Sequence, residues 1–216
     1  MKDTATTSAP VVLAYPLRGR FLARNSPARR VPSHGTHLMG TTYAIDLVPV
    51  DEQGRSAPWN WRAAVATEDP RGFVGFGAPV LAPCAGEVVI VHDCEIDHEA
   101  RRSQLTLLPY MLGQAGRLRG GPSSIAGNHV VIRKGTEGPF VLLAHLQQGS
   151  ARVRVGDRVR QGDVVAACGN SGNSTQPHVH LQATDGTDWN TARGLPIAFA
   201  TPQGPALPRE SEIITA

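Results

Sequence analysis

The sequence predicts an all-β fold, a barrel or sandwich, and three observations carry that reading. Glycine (23) and proline (17) are plentiful among 216 residues, which favours short strands joined by tight turns. Short β-branched runs recur between Gly-Asp and Gly-Asn turn signals. No alternation of strand and helix marks a βαβ unit. The length suits one domain over residues 10–200, with a loose tail at 1–9 and a Pro-rich tail at 201–216 that trails off.

Taken in order, Val11–Tyr15 and Arg20–Ala23 read as strands around the Pro16–Gly19 turn. A Pro- and Arg-containing loop ends in Ser33-His34-Gly35-Thr36-His37. Thr42–Val50 is then a strand that carries Asp46 inside an apolar run. A carboxylate there is costly unless it pairs with a neighbouring arginine or binds a metal. Residues 51–76 have no steady period and read as an inserted loop. Ala78–Pro83 and Gly86–His92 are strands. Residues 95–124 form a second insertion, helical over part of 97–118 and broken at Pro109. Asn128–Lys134 and Pro139–Leu146 make a hairpin, Val164–Cys168 and His178–Thr184 complete the sheet, and Trp189–Phe199 wraps an edge. The V-x-x-G-D unit occurs twice over Val153–Asp163 as a turn former.

Net charge is +3 with scattered arginines, a balance that suits polyanionic surroundings and gives no nucleic-acid footprint. Cys84, Cys94 and Cys168 form no C-x-x-C, so neither a disulfide framework nor a zinc knuckle is expected. No stretch is long and apolar enough for a membrane span, and the first twenty residues make a poor export signal, which points to the cytoplasm.

Chemistry concentrates in histidines. His178 and His180, two apart on a strand, share one face. With His34, His37, Asp46 and His145 they supply the nitrogen and carboxylate donors that zinc takes, plus two spare imidazoles for water and a developing oxyanion. His129 reads as a strand histidine, and His92 and His98 as surface residues.

The ordered motifs Gly127–Ile132 (G-N-x-V-x-I), Ala144-His145-Leu146, Val155–Asp163, Gly169–Ser174 and Pro177-His178-Val179-His180 resemble those of lysostaphin-like zinc endopeptidases, which cut peptidoglycan cross-links. Tyr43–Leu47 and Ala78–Val89 extend the resemblance back to about Thr36. It implies a small antiparallel β-sandwich or barrel-sandwich hybrid with an open groove, and one Zn²⁺ per chain. It also implies Asp46 and His180 as metal ligands, His145 and His178 as catalytic residues, and peptidoglycan or another peptide as substrate. The implied substrate lies outside the inner membrane, at odds with the poor export signal. The family pattern H-x-x-x-D meets Thr42 here. The first ligand is therefore His37 or His34, with His37 preferred because Gly40 can turn the loop back onto the strand. The alternative function is a catalytically inactive member that binds the wall or activates another hydrolase. The two insertions are expected to line or cap the groove.

Overall fold

The computed structural model describes residues 9–59, 66–102 and 122–216. The N-terminal tail, but for residue 9, and most of the helical reading of 97–118 lie outside these. The helix Pro122–Ala126 follows directly.

The strands are β1 (Val11–Leu13), β2 (Arg20–Arg24), β3 (Ile45–Pro49), β4 (Pro79–Leu81), β5 (Gly86–His92), β6 (Asn128–Arg133) and β7 (Phe140–Leu146). They continue with β8 (Arg158–Val159), β9 (Val164–Ala167), β10 (Val179–Thr184), β11 (Gly194–Leu195), β12 (Ile197–Phe199) and β13 (Ile213–Thr215). A nine-stranded sheet runs β13-β2-β3-β10-β7-β6-β5-β8, with β11 also on β10. All its pairings are antiparallel, and it does not close into a barrel. The expected all-β class holds. One pair departs from pure antiparallel order, because β1 lies parallel to β12.

Period-two alternation separates the two faces of the sheet. Ile45 and Leu47, Val130 and Ile132, Val141 and Leu143, and Leu181 and Ala183 enter one core with Val80 and Val165 from the β4-β9 pair and with Cys168 just after β9. Phe199 closes it and stacks on Tyr15 at 4.2 Å. Full burial of each such aliphatic side chain stabilises by about 1.5–3 kcal/mol. The intervening residues, Asp46, His180, Gln182 and Ala144, therefore share the opposite face.

The two V-x-x-G-D units form matching turns. Asp157 Oδ2 accepts from Arg154 N at 2.8 Å and Asp163 Oδ2 from Arg160 N at 2.7 Å, while Gly156 and Gly162 take φ of 95° and 91°. A side chain at those glycines would be strained.

The C-terminal expectation needs correcting. Residues 201–216 do not trail off, because Ile213–Thr215 pairs with Arg20–Leu22. Ser26 Oγ also donates to Pro208 O at 2.5 Å. Prolines set the approach, and the last strand covers an edge that would otherwise be open.

Burial pushes the Cys84 thiol up to about 11, against the opposing pull of Lys134. Burial also raises Cys168. A raised folded-state pKa gives stability that is complete below the unfolded value and lost as pH rises through the folded one. Thermal stability in reducing buffer is expected to fall between roughly pH 9 and 11, with Cys84 contributing up to about 2 kcal/mol. Cys84→Ala should flatten the midpoint-against-pH curve in that window. An unchanged slope would refute the assignment.

Candidate metal centre and active-site groove

Register places the site. Asp46 on β3 lies opposite His180 on β10, which lies opposite Ala144 on β7. Registered residues of adjacent strands share a face about 5 Å apart. Asp46 and His180 are therefore neighbours by construction, with His180 Nδ1 2.9 Å from Asp46 Oδ1. His178 and Gln182 flank His180 on the same face, two residues away on either side.

The third donor arrives from the loop before β3. His34 Nε2 is 3.2 Å from Asp46 Oδ2 and 3.3 Å from Oδ1. One donor atom from each of His34, Asp46 and His180 falls within 4.8 Å of the others. His37, the preferred candidate, is not brought there. It is exposed, and its Nδ1 contacts Thr42 Oγ1 at 3.1 Å. Gly40 does turn the loop onto the strand, with φ 73°, and a Cβ there would clash with Thr184 Cγ2 on β10, but the turn does not carry His37 to the carboxylate.

Hydrogen bonds fix which ring nitrogen each ligand presents. Ser33 Oγ donates to Thr41 O at 3.1 Å and so accepts from His34 Nδ1–H at 3.0 Å, which turns Nε2 towards Asp46. Gln182 Nε2 donates to Met39 O at 2.8 Å. Its Oε1 therefore accepts from His180 Nε2–H at 2.9 Å and leaves Nδ1 inward. Asn25 Nδ2 donates to Asp46 Oδ2 at 2.7 Å. Two inward imidazole nitrogens and a carboxylate, each braced from behind, fit Zn²⁺ in ligand type and number, with room for a fourth position.

His145 and His178 face each other beside this set, with ring centroids 4.7 Å apart. His178 Nδ1–H donates to Gln176 O at 2.8 Å, and Ser174 Oγ lies 3.1 Å from the same nitrogen. His178 Nε2 stands 3.6 Å from Asp46 Oδ1. His145 Nδ1–H donates to Ser171 O at 2.9 Å. Simple alternation would send His145 to the core, since Ala144 already points to the groove. The register between β6 and β7 slips here, because Asn128 pairs with Leu146 while His129 pairs with Ala144. His145 is the extra residue of that bulge and takes φ 62°. Such a backbone costs on the order of 1–3 kcal/mol in a residue other than glycine, strain that persists only where the surroundings hold it.

Burial acts most strongly on the Asp46 carboxyl and pushes its pKa up. The attraction of His34 and His178 and the bonds from His178 and His180 outweigh it and hold the group well below the usual carboxylate range. Burial, with the neighbouring charges of His178 and His180, drives His145 well below an ordinary imidazole. For His178 burial lowers the pKa, but Asp46 and the Gln176 carbonyl raise it further than that.

The groove above these groups has a volume of about 470 Å³. Leu38, Met39 and Thr41 form one wall, Ile125, Ala126, Asn173 and Thr175 the other, and Trp189 lies at the Leu142–Gln182 floor. Among the described residues, neither insertion lines it. The described parts of both hold the loop behind the two histidines, and residues 60–65 and 103–121 of the insertions lie outside the described residues. Ser56 Oγ donates to Gln176 Oε1 at 2.8 Å, and Asp97 Oδ1 accepts from Asn170 N at 2.6 Å. His98 Nε2 lies 2.9 Å from Gly172 O, so this histidine is a structural contact rather than a surface residue.

Ser171 and Ser174 fall within the Gly169–Ser174 motif, whereas Ser33, Asn25 and Gln182 belong to none of the site motifs. Gln182 is findable, since two residues beyond His180 on a strand is the same face. Ser33 acts through the Thr41 carbonyl and Asn25 through a contact to Asp46, neither with a local signal.

Fold and site together define a β-sandwich protein with a histidine–aspartate centre on an open groove. The model of peptidase family M23 matches residues 114–198, a stretch that contains His145, His178 and His180. The resemblance read from the sequence is borne out over that stretch. Endolysin 2638A of Staphylococcus phage 2638A is 42% identical over 59 residues, which are 26% of this chain and 12% of the endolysin. Among solved structures, the catalytic domain of the antimicrobial peptidase lysostaphin from Staphylococcus simulans is 16% identical, with 74% of this chain and 86% of that one covered at a TM-score of 0.40. A catalytic-domain mutant of the prophage-encoded M23 protein EnpA from Enterococcus faecalis is 23% identical, with 57% and 69% covered at a TM-score of 0.38.

Proposed function

We propose that the chain is a zinc metalloendopeptidase that hydrolyses peptide bonds in the stem peptides or cross-bridges of peptidoglycan. The observation that carries this is the convergence of His34 Nε2, Asp46 and His180 Nδ1 beside the His145–His178 pair on one groove. The family match over residues 114–198 supports the reaction class.

A bound zinc supplies Lewis acidity at the scissile carbonyl and lowers the pKa of water. His34, Asp46 and His180 hold it. His145 and His178 have their Nδ1–H groups committed to Ser171 O and Gln176 O, which turns both Nε2 edges to the groove, that of His178 lying 3.6 Å from Asp46 Oδ1. The pair divides two tasks. One imidazole takes a proton from the attacking water and later passes it to the leaving amine nitrogen. The other donates to the oxyanion as it forms. Water adds across one amide, and one carboxylate and one amine leave.

The reading as an inactive module rested on the missing histidine four residues before Asp46. With His34 at the carboxylate, three donors are present without it.

Zinc-loaded protein incubated with cross-linked peptidoglycan is expected to release new amino termini without new reducing sugar ends. A chelator should stop the release and added zinc restore it. Release of sugar ends alone, or of neither product from every wall type tried, would contradict the proposal.

A further inference from the structure

The row that places Asp46 and His180 continues across the sheet. Ala144 lies opposite His129 on β6, and His129 opposite His92 at the end of β5. His92 stacks on His129 with centroids 5.3 Å apart and planes at 21°, and His129 meets Trp189 edge-on at 5.3 Å. Past His92 the chain continues irregularly through Asp93-Cys94-Glu95. Cys94 Sγ lies 3.6 Å from His92 Nε2, and Glu95 Oε1 lies 3.2 Å from the same nitrogen. One donor atom from each of the three falls within 4.8 Å of the others.

The two separations at His92 Nε2 match tetrahedral coordination. With metal–nitrogen, –sulfur and –oxygen bonds of about 2.1, 2.3 and 2.0 Å, neighbouring ligands stand about 3.6 Å (N···S) and 3.3 Å (N···O) apart. An exposed His–Glu pair accounts for one of these contacts and stabilises little. It gives no reason for a thiol at the third corner.

The segment is also held in place at each residue. The Asp93 carboxylate accepts from Ser150 N and Ala151 N, and Asp93 O accepts from Gly149 N. Cys94 O accepts from Gln148 Nε2 at 3.1 Å. The Asn128 side chain takes Glu95 N and donates to Glu95 O, at 2.8 and 2.7 Å. Stacking on His129 fixes the plane of His92. Donors on a braced backbone bind without a large ordering cost.

We propose that His92 Nε2, Cys94 Sγ and Glu95 form a second site, for a divalent transition-metal cation of zinc's class, with its fourth position open to solvent. On binding, the Cys94 thiol gives its proton to solvent. Thiolate and carboxylate then balance the two positive charges of the ion. The site is separate from the groove centre. His92 is three strands from His180, roughly 14 Å at a strand spacing of about 4.8 Å. The braced segment runs on into Asp97 and thence to Asn170, so an ion here steadies the strap behind His145 and His178.

Cobalt(II) discriminates the two sites, because only a thiolate ligand gives a sulfur-to-cobalt charge-transfer band in the near ultraviolet. The groove centre has no sulfur donor, and Cys84 and Cys168 are buried. Metal-free full-length protein, kept reduced with a phosphine, is titrated with cobalt chloride while absorbance and bound metal are followed. Wild type should bind two ions per chain and develop the band. Cys94→Ala should lose the band and one ion with an unchanged far-ultraviolet circular dichroism spectrum, and His92→Ala should weaken the band's midpoint at least tenfold. His180→Ala should lose the other ion and keep the band, so failure of the groove centre reads separately from failure here. Absence of the band in saturated wild type, or its persistence in Cys94→Ala, would overturn the proposal.

Discussion

His145→Ala and His178→Ala are each expected to lower kcat/KM for a cross-bridge peptide by about 10²–10⁴-fold while the chain retains its groove metal. Neither ring is among the three converging donors, and each presents only Nε2 to the groove. Removing one takes away proton transfer or oxyanion stabilisation and leaves the metal's holders intact. His145→Ala keeps the left-handed backbone at φ 62° and leaves the buried Ser171 carbonyl without its imidazole partner, so the variant should also lose on the order of 1–3 kcal/mol of stability beyond the lost packing. Steady-state kinetics with metal content on the same sample check this. Loss of metal along with activity would move the histidine into the ligand set. Unchanged activity would remove it from the mechanism.

His34→Ala and His37→Ala should differ sharply although the residues are three positions apart. Loss of a group that supports a ligand costs roughly 10–100-fold in metal affinity or activity, and loss of the ligand itself should exceed that. His34→Ala is therefore expected to lose both metal and hydrolysis. His37→Ala gives up an exposed contact to Thr42 and should stay within about twofold of wild type, since surface changes of this kind cost little. Competition with a chromophoric chelator gives both affinities. The reverse ranking would mean that the turn Leu38–Tyr43 rearranges when metal binds.

Much of the fold was legible in the sequence. The hairpin of β6 and β7 announced itself by two β-branched runs around Gly135–Gly138, and burial on its core side follows from period two alone. Asp46 stood out as a carboxylate in an apolar strand, and His178 and His180 shared a face by spacing. What stayed hidden depends on paths through space. The choice of His34 over His37 turns on Ser33 Oγ reaching Thr41 O, and Gly40 turns the loop onto the strand without bringing His37 to Asp46. The redirection of His145 is a register slip in which His occupies a left-handed position where glycine would have been the usual signal. Ile213–Thr215 looked like the end of a Pro-rich tail, because a three-residue edge strand carries too little pattern to stand out without its partner.

The central claim is that His34, Asp46 and His180 hold one zinc in the groove. Anomalous diffraction at the zinc edge from crystals of zinc-loaded protein tests it most directly. The account predicts a peak about 2.0–2.2 Å from His34 Nε2, a carboxylate oxygen of Asp46 and His180 Nδ1 together. A groove without such a peak, or a peak bound by His37 in place of His34, would contradict it.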